Sequence, residues 1–196
     1  MQREARFFWA LIIVLLGASA FFSFGAEQRR REAQRGNTVA LEAGELVTLV
    51  HVIDGDEVKL EKADKSQVVV RLLGIKAFEP RRDPFGDQGV RALEARLKDH
   101  PIRALPQRGP DGQAKFDSKE RVIAELLVGD QNIGLSLVHD GLALVYTPYT
   151  FDTISTYLEQ QGRARDAGRG VWGDAEGIKR ADALIAQWAR SREEGG

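Results

Sequence analysis

Eighteen consecutive residues, Phe7 to Phe24 (FFWALIIVLLGASAFFSF), carry no charge, and only Ser19 and Ser23 in that run bear hydroxyls. This reaches the lower end of what an apolar helix needs to cross a bilayer core of roughly 30 Å. Arg3 and Arg6 precede the segment, and Phe7, Phe8 and Trp9 suit an aromatic interfacial belt. The pattern predicts a transmembrane anchor. A cleaved signal is the alternative, with Ser23-Phe24-Gly25 as a passable processing site. Glu27 to Gly44 is polar, charged and aperiodic, as expected of a tether that is partly helical.

From Glu45 the pattern changes. Leu46–Val50, Val58–Leu60 and Val68–Leu73 are rich in strand formers, and Asp54-Gly55 and Asp64-Lys65-Ser66 supply the turns between them. The expectation is a three-stranded antiparallel meander. After a loop with Pro80 and Pro84, Val90, Leu93 and Leu97 fall on one helical face. Ile102–Leu105 and Val122–Leu127 read as two more strands, separated by a loop over Gln107–Lys119. Asn132 is placed to cap a helix that stops at Gly141, and Asp152 to cap another that stops at Gly168. Ile178, Ala181, Ile185 and Trp188 are spaced for an amphipathic helix that docks on the barrel rather than on a partner. Five strands with a helix after the third predict an α+β fold, a five-stranded OB-type β-barrel with packed helices, preceded by an N-terminal transmembrane helix. The corresponding division is 1–26 anchor or signal, 27–44 linker, 45–174 barrel domain and 175–196 C-terminal helical extension.

Composition narrows the chemistry. The 196 residues hold 28 Lys+Arg against 29 Asp+Glu, a formal net charge of −1. Nucleic-acid binding would therefore depend on a local patch rather than a basic overall field. With no cysteine, thiol catalysis, disulfides and cysteine-ligated zinc are excluded. His51, His100 and His139 have no metal-type spacing.

The order of short motifs carries more. Val52-Ile53-Asp54-Gly55-Asp56-Glu57-Val58-Lys59-Leu60 is followed by Val70-Arg71-Leu72-Leu73-Gly74-Ile75 and Glu79, by Asp117 and Arg121, by Gly141-Leu142-Ala143 and by Gly170-Val171-Trp172. From about Glu45 to Asp174 this resembles the staphylococcal nuclease (thermonuclease) family. The resemblance implies a calcium-dependent phosphodiesterase acting on DNA or RNA. It implies Asp56 and the main-chain oxygen of Ala77 as metal ligands, Glu79 as the general base on water, and Arg71 and Arg121 on the phosphate. Those residue types suit the reaction. Attack on phosphorus loads charge onto its oxygens, and guanidinium forks stabilise that charge without losing their protons. Arg81, Arg82, Lys115 and Lys119 are candidates to widen the phosphate-binding patch.

The chain also departs from the family pattern. Where the family reads Gly-Ile-Asp-Ala-Pro-Glu, this sequence reads Gly74-Ile75-Lys76-Ala77-Phe78-Glu79. Lys76 replaces a metal-binding aspartate, which moves the local charge by two units and puts a donor where calcium wants an acceptor. The ammonium is then expected to pair with Asp56 or Glu79, or to stand where the metal stood and bind phosphate. Phe78 replaces a loop proline, Glu57 a threonine, and Lys119-Glu120-Arg121 a Tyr-Gly-Arg run.

Three functions follow. One is a membrane-tethered nuclease at an envelope surface. The second is a catalytically inactive OB-fold module that binds nucleic acid or another envelope component. The third is an envelope structural protein whose barrel binds some other polymer or protein. For the anchor, the excess of Arg29, Arg30, Arg31 and Arg35 after the span places the carboxyl side in the cytoplasm, whereas the family resemblance favours the outer (periplasmic or extracellular) face.

Overall fold

The computed structural model describes residues 40–80 and 83–194. The apolar Phe7–Phe24 segment and most of the expected linker lie outside these residues, as do Arg81 and Arg82. Among the described residues no helix is long and apolar enough to cross a membrane.

Strand β1 (Glu45–Asp54) turns at Asp54-Gly55 into β2 (Glu57–Glu61), which turns again into β3 (Gln67–Leu72). Both pairings are antiparallel. After the short β4 (Ile75–Ala77), helix α1 (Pro84–Leu97) crosses to β5 (Ile102–Pro106) and β6 (Val122–Val128). The short β7 (Gln131–Asn132) leads into α2 (Ile133–His139), followed by β8 (Ala143–Val145), α3 (Ile154–Asp166), a 3₁₀ turn (Gly170–Gly173) and α4 (Ala175–Glu194). The sheet order is β3-β2-β1-β5-β6-β7, and a parallel β3–β6 pairing closes the first five of these strands into a barrel. The predicted barrel class is therefore observed. Alternation along the strands fills its interior, with Val58, Leu60, Val70, Leu72, Ile102, Ala104, Val122, Ala124 and Leu126 pointing in and fully buried. The packed unit reaches back beyond β1 to Leu41, which is buried in this core.

Two caps show how local sequence sets the helices. Asn132 Oδ1 accepts the Leu135 amide at 3.0 Å and opens α2, as expected. The expected Asp152 cap is not found: the N-cap position of α3 is Thr153, whose side chain makes no capping bond. Helix α3 instead takes its place from packing, with Tyr157 and Ala164 buried.

A second core lies outside the barrel. Phe78, Leu144, Ala164, Val171, Trp172, Ala181 and Trp188 are buried together, with Phe85, Tyr146 and Ile178 against them. It joins β8, α3, the 3₁₀ turn and α4, so the C-terminal stripe, expected on the barrel, packs into this second core instead. The joint depends on Gly141, at φ +67°. A Cβ there would lie 2.1 Å from the Arg169 carbonyl oxygen, across the same contact in which Val171 N–H donates to the Gly141 carbonyl at 3.0 Å. Gly141→Ala is therefore expected to destabilise the fold by about 3 kcal/mol or more, combining backbone strain with overpacking. Urea unfolding checks this, and an unchanged midpoint would show that the joint yields without strain.

Candidate active site

The two arginines separated by fifty positions meet because of barrel closure. Arg71 lies on β3 opposite Ile123 of β6 on one side and Glu57 of β2 on the other. Arg121 immediately precedes β6. β4 pairs with β8, setting Lys76 opposite Leu144 and Ala77 opposite Ala143, which brings the aromatic residues after β8 to the same place.

The result is one cleft of about 670 Å³. Arg71, Lys76, Ala77, Glu79, Lys119 and Arg121 all line it, and Tyr146, Tyr149 and Trp188 stand among them. The sequence-derived residues among those described are thus brought together, except that Asp56 sits beneath the floor at 1% exposure and Lys115 lines a different cavity beside Arg108 and Asp152.

Asp56 organises the floor. Its Oδ2 forms an ion pair with Arg71 Nη1 at 3.3 Å and accepts from Lys76 Nζ at 3.4 Å and from the Ala77 amide at 3.2 Å. The hairpin carrying it cannot withdraw, since Leu72 N–H donates to the Asp56 carbonyl at 2.9 Å. A Cβ on Gly55 would meet Ala77 Cβ at 2.7 Å, so this turn presses on β4 and needs glycine. Burial raises the pKa of neighbouring Asp54, helped by the Asp56 charge and opposed by the Gly55 amide and Lys76.

Arg71 is held on every side. Besides Asp56, its Nη2 donates to the Ile75 carbonyl at 3.3 Å, and its guanidinium lies 5.6 Å from the Tyr146 ring centroid. Tyr146 in turn packs edge-on against Trp188 of α4 at 5.1 Å and against Tyr149 at 5.2 Å. Burial raises the Tyr149 phenol above its ordinary value, with the Arg71 charge opposing.

Arg121 is also fixed, by carboxylates. Its Nε donates to Asp117 Oδ2 at 2.8 Å, its Nη2 reaches the same oxygen, and its Nη1 reaches Glu57 Oε2. Burial alone would raise the Asp117 carboxyl. Hydrogen bonds from the Arg121 side chain and from the Arg121 and Lys119 amides, with the Arg121 charge, hold it below its ordinary value. Glu57, which stood out in the sequence only as a replaced threonine, is thus half of a clamp.

Glu79 follows β4 on the exposed lip of the cleft. Phe78, where the family has a loop proline, is buried at 4% exposure with its ring centroid 6.0 Å from that of Phe85, so a packed side chain immediately precedes Glu79. The loop then closes through the Asp83 amide, which donates to the Glu79 carbonyl at 3.0 Å.

The donor set can be tested against calcium, which takes six to eight oxygens at about 2.3–2.6 Å. Asp56 Oδ1 is buried and makes no hydrogen bond, which a cation would remedy. Yet Asp56 Oδ2 is engaged by three partners, two of them cationic. No group of three or more His, Asp or Glu side chains among the described residues is arranged to hold a metal ion. A divalent ion bound to Asp56 would sit beside both Arg71 and Lys76. Repulsion at 4 Å is about 4 kcal/mol per pair of unit charges in a surface-like dielectric, and double that for a divalent ion. These residues do not fit calcium.

The aromatic wall escaped sequence reasoning. The signal available was the clustering of Tyr146, Tyr149 and a distant Trp188, none informative until β8 and α4 are placed in space.

Comparison with known proteins agrees with this geometry. The chain is 32% identical over 146 residues to a Haemophilus influenzae protein named as an uncharacterized endonuclease, covering 74% of this chain and 73% of that one. It is 26% identical over 131 residues to an Escherichia coli protein of the same name, covering 66% of this chain and 78% of that one. The sequence profile of staphylococcal nuclease homologues matches residues 69–174, a span that contains Arg71, Glu79 and Arg121 and stops before α4. With that profile covering more than half of the chain, the chain belongs to the staphylococcal nuclease homologue family.

Proposed function

We propose that this chain hydrolyses phosphodiester bonds of DNA or RNA in the Arg71–Glu79–Arg121 cleft. The observation that carries the reading is that the three residues, scattered along the chain, line one cleft with Lys76 and Lys119. Arg71 and Arg121 grip the phosphate and the charge that develops on it; their fixed orientation is what makes such donors effective. Glu79 takes the proton of the attacking water. Lys119, exposed at the rim, binds the flanking backbone. Calcium, which the family resemblance implied through Asp56 and the Ala77 main-chain oxygen, has no place in this reading. Support for nucleic acid as substrate comes from the family and from the endonuclease names of the relatives.

A second reading rests on one observation. All the Arg121 contacts described above go to Asp117 and Glu57, so carboxylates already hold three of the five donors of that fork and compete with phosphate for it. A cleft of this kind also suits a module that binds a strand without cutting it.

The experiment is cleavage of end-labelled single- and double-stranded DNA and RNA, with binding measured in parallel by fluorescence anisotropy. Glu79→Gln is expected to lower the cleavage rate by about 10²–10⁴-fold, the usual worth of a positioned base, while leaving strand binding intact. Binding by the wild type without cleavage would select the second reading. Full activity of Glu79→Gln would remove Glu79 from the mechanism.

We propose also that Phe7–Phe24 tethers the domain to a bacterial-type envelope membrane with the barrel on the outer face. The support is the uncharged length of that segment together with the family resemblance.

A further inference from the structure

The misfit with calcium has a positive counterpart in the same residues. A cation in phosphodiester hydrolysis places positive charge against a non-bridging oxygen as negative charge builds there. Lys76 carries such a charge on a rigid support. It lies within β4, paired with Leu144. Its Nζ is held 3.4 Å from Asp56 Oδ2, yet its side chain keeps 29% exposure and lines the cleft. An ammonium has three donors, and Asp56 engages one. Arg71 shares the same carboxylate, so two fixed cations stand on one buried anion, with the Asp54 carboxyl also within electrostatic reach of Lys76.

We propose that the Lys76 ammonium takes the place of the divalent cation, and that this chain cleaves phosphodiesters without a metal. The inference rests on the nuclease reading above. Water attacks phosphorus, and Glu79 accepts its proton. The bond from phosphorus to the leaving oxygen breaks with its electron pair passing to that oxygen, which takes a proton from solvent water. A phosphomonoester and an alcohol result. Lys76 stays protonated throughout, donating to a non-bridging oxygen beside Arg71. Asp56 is then a positioning residue, an anchor for both cations rather than a ligand.

The test uses the full-length chain and a labelled single-stranded oligonucleotide, in excess chelator or in millimolar calcium. Wild-type rates in the two conditions are expected to agree within about twofold, and Lys76→Met is expected to lose about 10²–10³-fold in both, the usual worth of one preorganised donor. Lys76→Asp should lose as much in chelator, regain at least about tenfold in calcium, and show calcium binding by calorimetry where the wild type shows none. Wild-type cleavage that vanishes in chelator and returns with calcium would overturn the Lys76 proposal and leave the nuclease reading standing. Undiminished cleavage by Lys76→Met would do the same. No cleavage by the wild type in either condition, on a folded sample, would overturn both.

Discussion

Arg71→Ala is expected to lower kcat on an oligonucleotide by about 10²–10³-fold, with a smaller change in KM, because on the proposed mechanism it removes a donor aimed at charge that appears only in the transition state. Preorganisation is the reason for so large an effect. Arg71 is 9% exposed, and its guanidinium is tied to Asp56 and to the Ile75 carbonyl and lies against Tyr146. Little rearrangement remains to be done when charge develops, so the interaction strength goes to the transition state. Arg71→Lys should recover little of the loss. A lysine could pair with Asp56 but could not at once reach the Ile75 carbonyl, stack on Tyr146 and present a second parallel donor to phosphate. The fold should tolerate both changes, since Asp56 retains Lys76 and the Ala77 amide. Single-turnover rates with urea unfolding on the same samples provide the check. A loss below about tenfold would leave Arg71 a structural partner of Asp56 and nothing more.

Arg71 also shows which parts of the site could be read from the sequence. Its position on β3 follows from the alternation Val68–Leu73, and the Asp54-Gly55 turn that delivers Asp56 follows from turn chemistry. These are local patterns, decided by residues within a few positions of one another. The proximity of Arg121 is not local: it depends on the parallel β3–β6 pairing, which no hydrophobic period announces. β4 and β8 have three residues each, too few to show a period, yet they place Lys76 and lead the chain to Tyr146. Glu57 read as a departure from a threonine, and became half of the Arg121 clamp only when β2 lay beside β3 and β6 closed against it. The helix stripe ending at Trp188 announced that it would bury an apolar face. That this face would also wall the cleft and buttress Tyr146 depended on where the second core formed.

Asp56→Ala is expected to destabilise the fold by about 3–5 kcal/mol, the range for removing one partner from a buried ion pair and leaving the other uncompensated. Here two cations would be left. Arg71 and Lys76 converge on one carboxylate oxygen, and the carboxylate is almost fully buried, so without it their charges repel across a poorly solvated gap. Asp56→Asn keeps the shape and an acceptor for the Ala77 amide, and so should cost less than the alanine while still losing the charge. The sign of the effect separates two roles for the same residue. A carboxylate kept as a cation ligand is crowded by other carboxylates when the cation is absent, and removing it in chelator leaves stability unchanged or improved. A carboxylate kept as an anchor for cations is missed at once. Urea unfolding in chelator makes the comparison, and a double-mutant cycle with Lys76→Met isolates the pair, with a coupling of about 0.5–3 kcal/mol expected for groups in one network. Stabilisation by Asp56→Ala, or a coupling indistinguishable from zero, would return Asp56 to the role of a metal ligand and leave the ammonium of Lys76 without its anchor.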